Sequence, residues 1–276
     1  MSTCKKKTTL YEHKRYIIHL LQTLKKNRKT LIDDFNNEAL HDLRVALRKL
    51  LSIDALSAKT LGFCFDNRLK SKIKLLLKES SGLRDIEELL FFAPDMIGTL
   101  AVTKEIYQKE LISKLSATRI EAEILHSYTT TYQTLKSEQA RLQDFKEAAL
   151  EGVIEAIHKT SKKFIKITKI ESVDFDELHF VRKRFKSYRY QLDFLFLGAN
   201  EGSIVCKRAQ DKLGKVNDLR VWLEILKEGD AKTQGKIQVK LKEALKEVKK
   251  EASIFDSKEY CDSLGCELRR RMAICC

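Results

Sequence analysis

The sequence predicts an all-α protein, and three observations carry that prediction. Turn residues are scarce: average usage of about 5% Pro and about 7% Gly would give roughly 14 and 19 in a chain this long, and this one has 1 and 10 in 276 residues. Sheet proteins use both residues in tight turns, which argues against an all-β fold. Apolar residues recur at helical spacing from end to end. The composition, 43% hydrophobic and 33% charged, is that of a globular chain able to bury a core rather than of a disordered one.

The elements follow in order. Tyr16, Ile17, Leu20, Leu21 and Leu24 mark one face of an opening helix that breaks at Asp33-Asp34. A second helix starts near Glu38 and runs to about Lys59. Phe63 to Phe92 carries Leu69, Ile73, Leu76, Leu77, Leu83, Ile86, Leu89 and Leu90 at helical spacing, and the only proline, Pro94, ends it. Leu100 to about Ile167 reads as a long helical region with weak breaks near Ser127 to Thr131, rich in the Glu, Lys, Ala and Leu of antiparallel bundle helices. Asp176 to Leu197 follows, with Gly198 as its C-terminal cap. Ile204 to Leu226 is next, Gly229 and Gly235 bracket a linker, and Gln238 to Ala252 closes the series with lysines at 240, 242, 246, 249 and 250. The total is about eight helices or slightly more.

Several classes fall away. No run of 18 apolar residues exists, so no spanning helix is expected. The basic start Lys5-Lys6-Lys7 lacks a following apolar stretch, which argues against a signal peptide. Seven cysteines, an odd number with no Cys-x-x-Cys pair, read as thiols in a reducing cytoplasm. The Cys275-Cys276 end reads as a frayed tail rather than a lipidation signal.

The chain also repeats itself. His41-Asp-Leu-Arg44-Val-Ala-Leu-Arg48-Lys49 has the frame His-x-x-Arg-x-x-x-Arg, and His179-Phe-Val-Arg182-Lys-Arg-Phe-Lys186 has His-x-x-Arg-x-x-x-Lys. About 40 residues past each histidine lies a small-residue patch ending in Asp, first Ser81-Gly82-Leu83-Arg84-Asp85, then Gly214-Lys215-Val216-Asn217-Asp218. Two markers in the same order at nearly the same spacing indicate a duplicated helical unit. The halves read as about 8–135 and 136–260, with a tail over 261–276.

At about 100° per residue, His179, Arg182, Lys183, Lys186, Arg189 and Tyr190 share one arc, with Val181, Phe185, Tyr188, Leu192 and Leu195 opposite and Arg184 as the misfit. In the first copy His41, Arg44 and Arg48 share a face away from Leu43, Leu47 and Leu50. The bland account is a solvated basic face. Against it, like charges at i, i+4 destabilise a helix by a few tenths of a kcal/mol per pair, and here the repulsion recurs in register with a histidine. An anion would supply the missing charge: arginine's fork gives paired hydrogen bonds to phosphate and lysine a mobile point charge.

The blocks at 41–49, Leu-Arg-Asp at 83–85, His-x-x-Arg-Lys-x-x-Lys-x-x-Arg-Tyr at 179–190 and Leu-Gly-x-x-Asn-Asp-Leu at 213–219 resemble the CHAD family, the conserved histidine α-helical domain. The resemblance spans about residues 10 to 260. It implies two four-helix bundles related by pseudo-two-fold symmetry, with a basic central channel that binds inorganic polyphosphate. Carried over by position, His41, Arg44, Arg48, Lys49, His179, Arg182, Lys183, Lys186, Arg189 and Tyr190 would line that channel. Val45 stands where the second copy has Lys183, so a weaker grip is expected in the first half. Lys74, Lys78 and Lys207 are further candidates, leading into the turns expected at Arg84-Asp85 and Asn217-Asp218. Asp85 and Asp218 cannot attract phosphate and are expected to pair with a motif arginine or cap a helix, orienting the donors. The lysines of the last helix and Lys5 to Lys7 read as solvated.

Neighbouring cations disfavour imidazolium whereas bound phosphate favours it. Binding is therefore expected to take up protons and weaken as pH rises through neutrality. Catalysis is not expected. His41-Asp42 resembles a metal-holding dyad, but its counterpart is His179-Phe180, and the surrounding cations would repel a metal. The closest match to the Glu-x-Glu-x-Lys strand of CYTH triphosphatases, Glu121-Ala-Glu123-Ile-Leu125, lacks the lysine, and no Gly-rich phosphate loop appears. The reading is a stand-alone, non-catalytic polyphosphate binder without cofactor or metal, cytoplasmic, on polyphosphate granules or beside polyphosphate-metabolising enzymes. The rival is a nucleic-acid-binding protein: a net charge of +14 suits backbone phosphates, although the basic arc has one aromatic, Tyr190, and so no stacking platform.

Overall fold

Alternating apolar and charged stretches of this length fold as helices that each bury one side, and the computed structural model contains helices alone as regular structure among the residues it describes, 10–60, 65–136, 139–170, 172–226, 231–256 and 258–275. They are α1 (Leu10–Asp33), α2 (Asn37–Thr60), α3 (Asn67–Phe92), a 3₁₀ turn (Pro94–Met96), α4 (Ile97–Ser116), α5 (Ile120–Lys136), α6 (Gln139–Lys169), α7 (Phe175–Leu195), α8 (Glu201–Ile225), α9 (Ala231–Ile254) and α10 (Lys258–Cys275). No helix among them is long and apolar enough to cross a membrane. The described chain divides into two compact units, Leu10–Arg141 and one from Leu142 onward, with the division falling inside α6.

In the first unit α1 packs on α2, α2 on α3, and α3 on α4, while α5 lies against α1 and α3. Ile17, Leu20, Leu21, Leu24 and Leu31 of α1 are buried, as are Leu40, Leu43, Leu47 and Leu50 of α2. Short polar side chains fix the helix starts. Asn36 Oδ1 accepts the Ala39 amide at 2.8 Å and Asp66 Oδ1 that of Leu69 at 2.7 Å, each satisfying a donor the helix cannot. Asp54 of α2 takes the Phe65 amide at 2.5 Å and pairs with Lys70 at 3.3 Å, tying α2 to the start of α3. Its burial pushes the carboxyl pKa up against those two bonds.

In the second unit α7 packs on α8 and α8 on α9, with α10 against α8. Phe164, Phe185, Phe255 and Tyr260 form its aromatic centre, with ring centroids 5.4 to 6.0 Å apart. Asp174 caps α7, and Asn200 and Ser203 exchange side-chain bonds with each other's amides at 3.0 Å to open α8. Gly202 permits the tight α7–α8–α10 packing: a Cβ there would stand 2.8 Å from a Leu192 methyl and 3.0 Å from one of Leu268.

Several expectations are corrected. The 261–276 stretch is not a tail: it lies almost wholly in α10, whose Leu268 and Met272 are buried. Three arginines at 269–271 and two nearby cysteines hide the Leu264, Leu268, Met272 spacing in the sequence. Each unit therefore holds five α-helices rather than four among the described residues. Among the described residues the long central region breaks at 117–119, not at Ser127 to Thr131, which is helical. Gly235 lies within α9. At the end of α7 the left-handed position belongs to Leu197, with φ of 55°, and not to Gly198. Leu197 and Gly198 donate to Phe194 and Asp193 carbonyls, the paired bonds of a Schellman cap.

Candidate anion-binding site

The two small-residue patches are not turns. Ser80 to Asp85 lies inside α3 and Leu213 to Leu219 inside α8, and in each unit the patch is the place where the motif arginine rests on the neighbouring helix. Arg44 of α2 is 5% exposed. Its Nη1 donates to the Leu77 carbonyl at 2.9 Å and to Ser80 Oγ at 2.5 Å, and its Nη2 to Ser81 Oγ at 3.3 Å. Burial, and then the Arg48 charge, pull its pKa down to about 9, with Asp85 opposing. Asp85 thus opposes the shift by its charge alone, from within a helix and not as a cap.

Arg182 of α7 lies over Gly214 of α8: a Cβ on that glycine would stand 3.5 Å from Arg182 Nε. This Nε is buried and has no hydrogen-bond partner. His179 Nδ1 meets Asn217 Oδ1 at 2.5 Å, and Asn217 Nδ2 donates to Asp218 Oδ1 at 3.3 Å. The Asn217 amide is therefore turned so that its oxygen accepts, and His179 Nδ1 carries the proton. Burial lowers the His179 pKa, as do the charges of Lys183, Arg182 and Arg220, against the Asn217 bond. The neutral ring is favoured, with Nε2 left to gain a proton when an anion arrives. Asp218 orients this chain through Asn217 and neither pairs with a motif arginine nor caps a helix.

Lys183 is exposed, and Lys186 and Arg189 are half-buried on the same side of α7. Tyr190, expected in that stripe, is 1% exposed with the Arg189 guanidinium 4.6 Å from its ring centroid, so it underlies the stripe. The core residues Val181, Phe185, Tyr188, Leu192 and Leu195 are buried as the spacing predicts. Arg184, the misfit, is exposed and sits 4.9 Å over Phe180. In the first unit His41, Lys74 and Lys78 are exposed and Arg48 and Lys49 half-buried. Lys207 is exposed but pairs with Asp211 of its own helix at 2.7 Å.

The stripe cations also share an electrostatic feature. Many lysines and arginines of both units have carboxylate partners, among them Arg28 with Glu121, Lys72 with Glu123, Lys163 with Glu177, Lys212 with Glu247 and Arg220 with Asp176. Among the described residues, Arg182, Lys183 and Arg189, and in the first unit Arg44, Lys74 and Lys78, have no ion pair. Sequence reasoning missed Asn217, Ser80 and Ser81, which hold the histidine and the arginine. Asn217 stood in the quoted patch at the position of Arg84, and the serines stood where the other copy has Leu213 and Gly214.

The family model of the CHAD domain matches residues 15–227. The chain belongs to the CHAD family. A CHAD domain from the plant Ricinus communis, known from its crystal structure, shares the fold with a TM-score of 0.54 and 20% identity over 98% of this chain and 96% of that one. No curated protein matches this chain. The matched segment contains every motif residue named above, and α9 and α10 lie beyond it.

Proposed function

We propose that this CHAD protein binds inorganic polyphosphate without catalysis, through the α7 stripe of Arg182, Lys183, Lys186 and Arg189 with His179, and through its counterpart around His41, Arg44, Arg48, Lys49, Lys74 and Lys78. The observation that carries the reading is that Arg182, Lys183 and Arg189 of one stripe and Arg44, Lys74 and Lys78 of the other have no carboxylate partner among the described residues, in a protein that pairs many of its other cations. Unpaired like charges on one helix face cost stability, and a polyanion offsets that repulsion. The family resemblance adds that the halves are pseudo-symmetric and both stripes line one basic channel, and we include that in the proposal. The protein would act in the cytoplasm, on polyphosphate granules or with polyphosphate-metabolising enzymes.

Calorimetric titration with polyphosphate at near-physiological salt, beside a DNA or RNA oligomer of matched charge, tests this. Tight polyphosphate binding, much weaker nucleic-acid binding, and loss in Lys183→Ala/Arg189→Ala and in Lys74→Ala/Lys78→Ala support it. One chain bound per protein supports a shared channel, and two would separate the stripes. Equal affinity for both polymers, untouched by the substitutions, refutes the proposal.

A further inference from the structure

Helices that pack along a seam normally close it with side chains, and in the second unit the α6–α10 seam is closed in this way: a Cβ on Gly265 would touch Ile154 at 3.4 Å, and Arg269 pairs with Glu151 at 2.6 Å. The α1–α5 seam of the first unit instead opens into a cavity of about 670 Å³, within the roughly 300–1,000 Å³ of small-molecule sites. Ile18 and Leu21 of α1 and Ala122 and Leu125 of α5 make its walls. Leu125 is 46% exposed on this seam and offers apolar surface to the cavity.

The polar lining is uneven in charge. Lys25, Arg28 and Arg119 face one carboxylate, Glu121. Arg28 Nη2 holds Glu121 Oε1 at 3.0 Å and its Nη1 the Leu115 carbonyl at 3.1 Å, so this pair is fixed. Both members nevertheless keep a buried atom with no hydrogen-bond partner, Arg28 Nε and Glu121 Oε2. Shut off from water, these two atoms do not face the cavity, and the charge open to an occupant is that of Lys25 and Arg119. Lys25 and Arg119 are exposed at the same cavity and have no ion pair among the described residues.

We propose that this cavity binds a small amphipathic organic anion, with an alkyl or aromatic body against Ile18, Leu21 and Leu125 and a carboxylate or phosphate head at Lys25 and Arg119. The excess positive charge disfavours a cationic occupant and adds an attraction for an anion that a neutral one lacks. A polyphosphate chain gains nothing from apolar walls, so this site is separate from the stripes.

The test titrates the full chain with decanoate and decyl phosphate below their micellar concentrations, beside decanol and decylammonium. Saturable one-to-one binding of the acids, at least tenfold weaker binding of decanol and none of decylammonium are expected, and the preferred acid identifies the head group. Arg119→Ala and Lys25→Ala should each weaken the acids about three- to tenfold, and Ala122→Phe, an exposed wall position, should abolish binding by filling the space. Polyphosphate should not displace the acids. Equal affinity for decanol, indifference to Ala122→Phe, or displacement by polyphosphate would overturn the proposal, and none of these depends on whether the stripes bind polyphosphate.

Discussion

Arg44→Met should make the protein more stable while weakening its hold on polyphosphate. The side chain is almost wholly buried, and its pKa is pulled down to about 9 by burial and by Arg48. That is more than three decades of proton affinity at about 1.4 kcal/mol each, so keeping the guanidinium charged inside the fold costs roughly 5 kcal/mol. Its three hydrogen bonds to Leu77, Ser80 and Ser81 return about 1 kcal/mol each. Methionine of similar length fills the space without the charge, and the acceptors left behind are not stranded. Ser80 Oγ still donates to the Leu76 carbonyl at 2.7 Å, for example. The expected net gain is about 2 kcal/mol, in line with buried charges replaced by apolar residues of similar volume. Urea unfolding at pH 7 reads the stability and calorimetry the binding. By linkage, wild type should gain stability relative to the variant as pH rises above about 9, where the buried guanidinium sheds its proton more readily than in the unfolded chain. A loss of 2 kcal/mol or more in Arg44→Met would refute the reasoning and make the α2–α3 bonds the residue's main role.

Three further outcomes are expected. Because the His179 pKa is lowered in the free protein, phosphate must raise it on binding, so polyphosphate should bind more tightly at pH 5.5 than at pH 8, and His179→Gln should flatten the difference seen by calorimetry in two buffers. The same depression means that His179 supports the unliganded fold above its unfolded pKa, and that this support is lost as pH falls through its folded pKa. Leu197→Gly should raise the unfolding free energy by about 0.5–1 kcal/mol, since a left-handed backbone disfavours leucine and suits glycine; a drop in melting temperature would count against it. Gly214→Ala meets Arg182 only at ordinary contact distance and should stabilise α8 by up to about 1 kcal/mol with binding intact, whereas Gly214→Leu should displace Arg182 and lose affinity several-fold in the same titration.

Most helices were legible because burial follows the 3.6-residue period: Leu43, Leu47 and Leu50 turn inward, and so do Val181, Phe185 and Leu192, as their spacing requires. What was illegible depends on the partner helix. Periodicity gives the angle of Arg44 and Tyr190 about their own axes, and both sit at the margin of an apolar arc. Only the packing of α3 against α2, or of Arg189 across the Tyr190 ring, decides that these side chains go under cover. The patches misled for a related reason. Gly82, Gly214 and the serines look like turn residues, yet they are small because another side chain approaches: a Cβ on Gly82 would stand 2.7 Å from the Tyr107 ring, and Gly214 lies under Arg182.

The two arginines predict which half grips harder. In each unit a guanidinium lies on small residues of the next helix, but Arg44 spends three bonds on Leu77, Ser80 and Ser81, while Arg182 rests on a glycine with no side-chain acceptor and its half-buried guanidinium makes no hydrogen bond among the described residues. A donor already bonded gains less from phosphate than one that is not. Beside Arg182 stands Lys183, exposed, where the first copy has Val45. Arg182→Met should therefore cost more polyphosphate affinity than Arg44→Met, by about tenfold if one charge-assisted bond of about 1.5 kcal/mol is the difference. Side-by-side titrations of the two variants decide it. Equal losses would mean that the grip depends on total charge alone, with no part for the donors left open by Gly214.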